Sequence, residues 1–273
     1  MNETKSRTAS DGLQLHYRCW EPEHPARAEV FFIHGYNEHI GRYEHVAAAM
    51  NAAGFRFHAM DLRGHGSSEG PRGHTPSWDQ FMRDVDLLLD QGESDLPSFI
   101  YGHSMGGGII LSYAIQTERE IKGVIATGPT LRLGFTPPPA QVFMAKVIGA
   151  IFPGFTQDGS LELEALSRDP AIAVAYANDP LIHNKISARL FLSMLTGGQE
   201  ALQRAPQLRI PLLLLHGSED RLSDASASRE FFNAAGVEDK TLKIYDGYYH
   251  ELHNEPEKME VLETITSWIS ERL

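Results

Sequence analysis

Short apolar runs alternate along the chain with segments of helical spacing. The run at residues 30–33 is wholly apolar and ends at His34-Gly35, which is typical of a central strand covered on both faces. Similar runs predict further strands at residues 55–60, 98–101, 124–126, 212–215 and 242–245. Helices are predicted before Gly54, over residues 78–89, after residue 104, and at the end of the chain with Val261, Ile265, Trp268 and Ile269 on the apolar face.

The first apolar positions of the chain follow a different period. Leu13, Leu15, Tyr17 and Cys19 alternate with polar residues. A period of two is expected where only one face of a strand is buried. This segment therefore predicts a half-buried strand at an edge of the sheet.

The alternation breaks between about Pro129 and Pro206, where strand patterns vanish and helical ones dominate. Repeated β-α units with continuous apolar strands predict an α/β fold with a mostly parallel central sheet flanked by helices. The interruption is too long for a simple connecting loop. We expect a core at residues 1–129 and 207–273, with residues 130–206 inserted as a helical cap above the sheet edge where ligands bind.

The composition narrows the function classes. The net charge of −12 disfavours general nucleic-acid binding, because neutralising phosphates requires a basic surface, but it leaves a neutral lipid-like substrate open. Cys19 is the only cysteine, so no intramolecular disulfide or thiolate metal site is expected. The chain starts with polar residues and has no apolar run of the roughly 18 residues that a membrane span needs. A cytoplasmic protein is the simplest expectation.

The pentapeptide Gly102-His103-Ser104-Met105-Gly106 follows a predicted strand and opens a predicted helix. A serine on such a turn exposes its Oγ, and the tight turn requires small residues two positions to either side, which Gly102 and Gly106 supply. The Met105 amide at the helix start is placed to stabilise a developing oxyanion. We predict that Ser104 is a nucleophile; a helix-capping serine is the simpler alternative.

A second match to the same pattern, Gly66-Ser67-Ser68-Glu69-Gly70, has a different context. Pro71 and Gly73 follow it where the nucleophile motif needs an apolar helix. This context argues against Ser68 as a nucleophile.

The order of residues along the chain limits the base and the acid. An acid and then a histidine follow a nucleophile of this kind, which leaves His250 and His253 of the thirteen histidines. His250, just after the last predicted strand, is preferred over His253. Asp220 follows a predicted strand and is the preferred acid, because a carboxylate there can accept a hydrogen bond from the imidazole. The other acids considered are Glu219, Asp224, expected in the first turn of the next helix, and Asp246, a possible turn residue.

The loop His34-Gly35-Tyr36-Asn37 ends the predicted central strand. A backbone amide from this loop is expected as the second oxyanion donor, and Tyr36 is the candidate. A plain glycine turn is the alternative.

Metal and nucleotide sites are disfavoured. His250 and His253 are three positions apart, whereas a zinc-binding helix needs histidines four apart. No phosphate-binding Gly-x-x-x-x-Gly-Lys loop is present, and the spacing of Gly64, Gly66 and Gly70 does not match a dinucleotide motif.

Taken together, several segments resemble the monoacylglycerol lipase family, lysophospholipase-like serine hydrolases with the α/β-hydrolase fold. The matching segments span most of the chain: His34-Gly35-Tyr36-Asn37-Glu38-His39 with Gly41-Arg42-Tyr43, residues 61–70, Gly102-His103-Ser104-Met105-Gly106-Gly107, Asn178-Asp179-Pro180-Leu181, residues 216–221, and residues 240–245 through 249–253.

The resemblance implies the triad Ser104, Asp220 and His250, with the Tyr36 and Met105 amides as oxyanion donors. It also implies that Glu38, Arg42, Tyr176 and His253 lie near the glycerol-holding end of the substrate pocket. Tyr36 stands where relatives often carry a small residue, so its side chain is expected to narrow the site.

The function implied is hydrolysis of monoacylglycerols to glycerol and fatty acid through an acyl-enzyme, with no metal or organic cofactor. The alternatives are a carboxylesterase or lysophospholipase acting on other single-chain esters, an acyltransferase, and a hydrolase-fold binding protein without turnover. Residues 142–152 are too apolar for a fully exposed helix. They are expected to line an acyl tunnel, to contact a membrane surface peripherally, or to pack against the core.

Overall fold

The computed structural model describes residues 3–93 and 95–273. The strands in this part of the chain are β1 (Glu3–Thr8), β2 (Gln14–Trp20), β3 (Ala28–Ile33), β4 (Phe55–Met60), β5 (Ser98–His103), β6 (Gly123–Thr127), β7 (Thr156–Asp158), β8 (Lys185–Ser187), β9 (Leu212–Gly217) and β10 (Lys240–Tyr245). The helices are α1 (Glu44–Ala52), α2 (Trp78–Leu89), α3 (Met105–Gln116), α4 (Pro139–Ile151), α5 (Pro170–Ala177), α6 (Ala188–Arg204), α7 (Ala225–Ala234) and α8 (Lys258–Ser270).

The main sheet has eight strands among the described residues, in the order β1-β2-β4-β3-β5-β6-β9-β10. Strand β2 runs antiparallel to both β1 and β4, and every other neighbouring pair is parallel. Strands β3 and β5 are neighbours at the centre, so the loops that follow Ile33 and His103 emerge side by side at the carboxyl edge. The predicted α/β class with a mostly parallel sheet is confirmed.

Most predicted elements are present, but two predictions about strands are wrong. The segment with Leu15 and Tyr17 is not an edge strand, because β1 pairs along its outer side from Glu3↔Cys19 to Thr8↔Gln14. Strands are also present between β6 and β9, where only helices were expected, because β7 and β8 form a short antiparallel ribbon there. Helix α1 does end before Gly54, whose φ of +83° suits the residue that follows a helix.

The two faces of the sheet are covered by different helices. Helices α1 and α8 cover one face, with Val46 and Ile265 in its buried cluster. Helices α2, α3, α6 and α7 contribute to the cluster on the other face, which includes Phe81, Ile109 and Phe231. Strand β3 is buried along its whole length between these layers, as the apolar run at residues 30–33 predicts.

The chain between β6 and β9 holds α4, the ribbon β7–β8, α5 and α6. Helix α6 packs into the hydrophobic core on one face of the sheet. Its residues Leu190, Met194 and Ala201 are buried in the same cluster as residues of α2 and α3. By contrast, α4 buries only Ala145 and Gly149. The division into a core and a cap at residues 130–206 stays a prediction.

None of the helices within residues 3–93 and 95–273 combines the length and the apolar character needed to cross a bilayer.

Candidate active site

Ser104 lies on the turn between β5 and α3 in a strained backbone conformation, with φ 54° and ψ −120°. The turn is tight enough to require its two glycines. A Cβ on Gly106 would lie 2.2 Å from the carbonyl oxygen of Ile33, and a Cβ on Gly102 would lie 2.5 Å from the carbonyl oxygen of Gly106. The close approach of these backbones explains why the motif needs glycine on both sides of the serine.

Ser104, His250 and Asp220 form a continuous hydrogen-bonded row. Ser104 Oγ lies 2.8 Å from His250 Nε2, and His250 Nδ1 lies 2.7 Å from Asp220 Oδ2. The other carboxylate oxygen, Oδ1, accepts from the amides of Leu222 at 2.8 Å and Ser223 at 2.9 Å. The carboxylate is therefore fixed in orientation, and the imidazole can accept a proton from the hydroxyl.

Asp220 and His250 each stabilise the charged form of the other. Burial alone would lower the pKa of His250, but the charge and hydrogen bond of Asp220 outweigh burial and raise it. Burial would raise the pKa of Asp220, yet His250 and His216 hold it well below its usual range. An ionised Asp220 beside a readily protonated imidazole is the arrangement that a general base requires.

The alternative candidates lie elsewhere. The ring nitrogens of His253 have no hydrogen-bond partner among the described residues. Glu219 is exposed, and Asp246 lies 3.4 Å from the hydroxyl of Ser218. Asp224 caps α7 by accepting from the amide of Ser226, one residue earlier than predicted. Ser68 is buried and donates to the carbonyl of Asp61, which is a structural role.

The loop after β3 lies directly against the serine. A Cβ on Gly35 would lie 2.6 Å from Glu38 Oε1 and 3.0 Å from Ser104 Cβ, so glycine allows this close approach. Glu38 holds the loop by accepting from the amide of Gly35 at 2.6 Å and the hydroxyl of Tyr43 at 2.7 Å. The amides of Tyr36 and Met105 donate to no acceptor within the described chain, so both are available as donors.

A buried cluster of two carboxylates and one guanidinium supports this loop. Arg42 pairs with Glu38 through Nη1 at 2.6 Å and with both oxygens of Glu251 at 2.7 Å. Burial raises the pKa of Glu38, whereas Arg42 overcomes the effect of burial on Glu251 and lowers its pKa to about 2. One cation shared by two carboxylates leaves the cluster short of positive charge, and Glu38 is the partner that holds a proton more readily.

A cavity of about 670 Å³ opens at Ser104. Its polar side includes Glu38, Tyr176 and His250. Its apolar side comes from the segment between β6 and β9, namely Leu133, Leu161, Ile186, Phe191 and Met194. Of the predicted substrate-binding residues, Glu38 and Tyr176 line the cavity. Arg42 lies behind Glu38, and His253 is fully buried and stacked on Tyr43, so the structure does not bring these two to the wall.

The side chain of Tyr36 lines the cavity and reaches the ribbon β7–β8. Its hydroxyl lies 3.1 Å from the carbonyl oxygen of Gly159 and 3.2 Å from that of Lys185. A Cβ on Gly159 would lie 2.3 Å from this hydroxyl, so glycine leaves room for the phenol. The ring therefore lies between the loop after β3 and the ribbon. That it narrows the site stays a prediction.

Some residues at the site were not singled out from the sequence. Glu251 lines the cavity and pairs with Arg42, Thr130 Oγ1 lies 3.4 Å from Ser104 Oγ, and His216 contacts Asp220. Both Glu251 and His216 lie within the segments that carry the family resemblance. Their contacts depend on side-chain directions that a linear pattern does not give.

The chain is similar to several known proteins. Residues 24–257 match the family model described as "Serine aminopeptidase, S33". The monoacylglycerol lipase of Mycolicibacterium smegmatis is 40% identical over 96% of this chain and 95% of its own. An uncharacterised abhydrolase domain-containing protein of Dictyostelium discoideum is 38% identical over 97% of this chain, which spans 28% of that protein's length.

Among solved structures, the monoacylglycerol lipase of Paleococcus ferrophilus superposes with a TM-score of 0.88 at 35% identity. The superposition covers 95% of this chain and 99% of the other. The similarity to monoacylglycerol lipases extends over nearly the whole chain, both in sequence and in structure. The resemblance inferred from the motifs is therefore confirmed. The chain belongs to the monoacylglycerol lipase family of α/β-hydrolases.

Proposed function

We propose that this protein hydrolyses monoacylglycerols to glycerol and a free fatty acid. The observation that carries the proposal is the composition of one cavity, which holds the hydroxyl of Ser104, the polar side chains of Glu38 and Tyr176, and an apolar wall. A single-chain ester with a polar head matches such a cavity, and its volume is in the range of small-molecule sites. The related lipase of M. smegmatis supports the same substrate class.

The proposed reaction starts with attack of Ser104 Oγ on the ester carbonyl. His250 takes the hydroxyl proton across the 2.8 Å contact, and Asp220 stabilises the imidazolium that forms. The amides of Tyr36 and Met105 hold the tetrahedral oxyanion, and each such donor typically contributes about 3 kcal/mol. His250 then protonates the leaving glycerol oxygen. Water, activated by the same imidazole, cleaves the acyl-enzyme to release the fatty acid.

A comparison of chain lengths tests the substrate class against the esterase alternative. We expect kcat/KM for a long-chain monoacylglycerol to exceed that for a butyryl ester, because only the long chain covers the apolar wall. Phe191→Ala, on that wall, should lower kcat/KM for the long chain and leave the butyryl ester nearly unchanged. Equal or higher values for the butyryl ester would favour a short-chain carboxylesterase.

We also propose reversible contact with a lipid surface through a patch that we call the cap patch, formed by Phe143, Ile151, Phe152 and Phe155. These side chains are more than half exposed, and Phe152 is 67% exposed. Lys146 is the one charged residue of α4. Phe143 and Ile151 lie on α4, and Phe152 and Phe155 follow it. Apolar side chains exposed to this extent are suited to the boundary between lipid head groups and acyl chains. The net charge of −12 favours zwitterionic over anionic lipid.

Flotation with zwitterionic vesicles tests the cap patch. We expect the protein to float with the vesicles and the double variant Phe143→Ser/Phe152→Ser to lose this binding. Met259→Ser is the matched control, because Met259 is 66% exposed but lies on α8. Absence of binding by the unaltered protein at low salt, or equal binding by the double variant, would contradict the proposal.

A further inference from the structure

The carboxylate of Asp220 contacts two imidazoles, not one. His250 Nδ1 lies 2.7 Å from Asp220 Oδ2, and His216 Nε2 lies 3.1 Å from the same oxygen. All three side chains are buried, and those of Asp220 and His216 have no exposed surface. The serine mechanism uses His250 and gives no role to His216.

The surroundings of His216 fix the direction of its ring. His216 is the fifth residue of β9, and its Nδ1 lies 2.8 Å from the hydroxyl of Ser228 on α7. A hydroxyl can donate to Nδ1, which leaves the hydrogen on Nε2 to point at Asp220. The hydroxyl and the carbonyl oxygen of Ser223 each lie 3.3 Å from Nε2 as well, farther than Asp220 Oδ2 at 3.1 Å, and both are uncharged. The charged group against His216 is Asp220, and His250 is the titratable group beyond it.

Resting on the function proposed above, we propose that His216 is a positioning residue for the catalytic acid. Its Nε2–H holds Asp220 Oδ2 in place and takes up part of the negative charge that Asp220 presents to His250. Two amides fix the other oxygen, Oδ1. On Oδ2, besides His250, the hydroxyl of Ser223 lies at 2.7 Å and His216 Nε2 at 3.1 Å, and His216 is the group of these two that carries an imidazole. A hydrogen bond to an ionised acceptor is stronger than one between neutral groups, so its loss should be measurable.

Electrostatics gives the direction in which the pKa of His250 should change when the hydrogen bond from His216 is lost. Without the donor from His216, more of the charge of Asp220 acts on His250, and the imidazole is protonated more readily. The pKa of His250 then rises, and the fraction of neutral base falls at any pH near that pKa. Loss of the donor therefore moves the acid limb of the pH profile to higher pH, whereas a general loss of packing would lower the rate at every pH alike.

Two isosteric variants separate the two sides of the His216 ring. In His216→Gln, the amide nitrogen can reach the position of Nε2 and keep the bond to Asp220. In His216→Asn, the shorter amide keeps the bond to Ser228 but does not reach Asp220. The readout is the rate at which a fluorophosphonate labels Ser104 as a function of pH, which does not depend on the acyl substrate.

We expect His216→Asn to label about tenfold more slowly near neutral pH, with its acid limb moved to higher pH by about half a unit or more. His216→Gln should stay within about twofold of the unaltered protein. An unshifted acid limb in His216→Asn, or an equal shift in both variants, would overturn the proposal. If His216→Asn does not fold, His216→Met replaces it with the same expected shift. Failure to hydrolyse monoacylglycerols leaves this test valid, because labelling reports on Ser104 and His250 alone.

Discussion

The hydroxyl of Tyr176 donates a 2.8 Å hydrogen bond to the carbonyl oxygen of Asn37. This bond joins α5, in the segment between β6 and β9, to the loop that carries the Tyr36 amide. The phenol of Tyr36 reaches back in the opposite direction, to the carbonyl of Gly159, and His39 pairs with Asp179 at 2.8 Å. The segment over the cavity and the loop beside Ser104 are therefore tied together at three points.

Because of these bonds, we predict that removing the hydroxyl of Tyr176 or Tyr36 slows the reaction but changes substrate binding little. Tyr176→Phe and Tyr36→Phe should each lower kcat by about threefold to tenfold, since one hydrogen bond contributes roughly 0.5–1.5 kcal/mol. KM should change less than kcat, because both rings remain. Tyr113→Phe is the control, since its hydroxyl bonds Asp86 away from the site. Steady-state kinetics on a long-chain monoacylglycerol measures these effects, and unchanged kcat in both variants would refute the coupling.

The charges around His250 predict the pH dependence. The base must be neutral to take the proton of Ser104, and the charge of Asp220 raises the pKa of His250 despite burial. The acid limb of kcat/KM should therefore lie above the ordinary imidazole value of about 6.5. In Asp220→Asn the limb should move to lower pH, because burial then dominates, and kcat should fall by about 10⁴. A limb below about 6.5 in the unaltered protein would contradict this account.

The cluster around Arg42 predicts a loss of stability. Arg42→Met leaves Glu38 and Glu251 buried without their shared cation, which should lower the free energy of unfolding by about 3–5 kcal/mol. Arg119→Met is the matched control, because Arg119 also pairs with two carboxylates but its side chain is 40% exposed. That variant should lose about 1 kcal/mol or less. Urea unfolding at neutral pH compares the two, and equal losses would argue against a structural role for the buried cluster.

The backbone of Ser104 predicts a stabilising substitution that abolishes activity. A residue other than glycine at φ 54° and ψ −120° carries about 1–3 kcal/mol of strain. Ser104→Gly relieves this strain, whereas Ser104→Ala retains it, so Ser104→Gly should unfold at the higher urea concentration. The same pair at Ser112, inside α3, should show the opposite order, because glycine destabilises a helix interior. The same order at both positions would rule out strain at Ser104.

The sequence identifies those parts of the structure whose chemistry is local. The apolar runs of β3 and β9 and the glycines around Ser104 each follow from burial or close approach at those positions. The order of elements along the chain then narrows the partners of Ser104, and the structure brings His250, rather than His253, within hydrogen-bond distance of it.

The strands and contacts that were not predicted lack such local signals in the sequence. Strand β1 reads Glu-Thr-Lys-Ser-Arg-Thr, with no apolar alternation, because it only pairs along the outer side of β2. The ribbon strands β7 and β8 have three residues each, too few to show a period. The contacts of His216, Glu251 and Tyr36 depend on which way each side chain points after distant segments meet, and that information is not in the spacing of residues.

The central claim is that Ser104 hydrolyses the ester of a monoacylglycerol, and glycerol release measures this most directly. Purified protein should release glycerol from long-chain monoacylglycerols much faster than from di- or triacylglycerols of the same acyl chain. The variant Ser104→Ala should release none above the uncatalysed rate. Equal release from triacylglycerols would contradict the substrate assignment, and undiminished release by Ser104→Ala would contradict the assignment of the nucleophile.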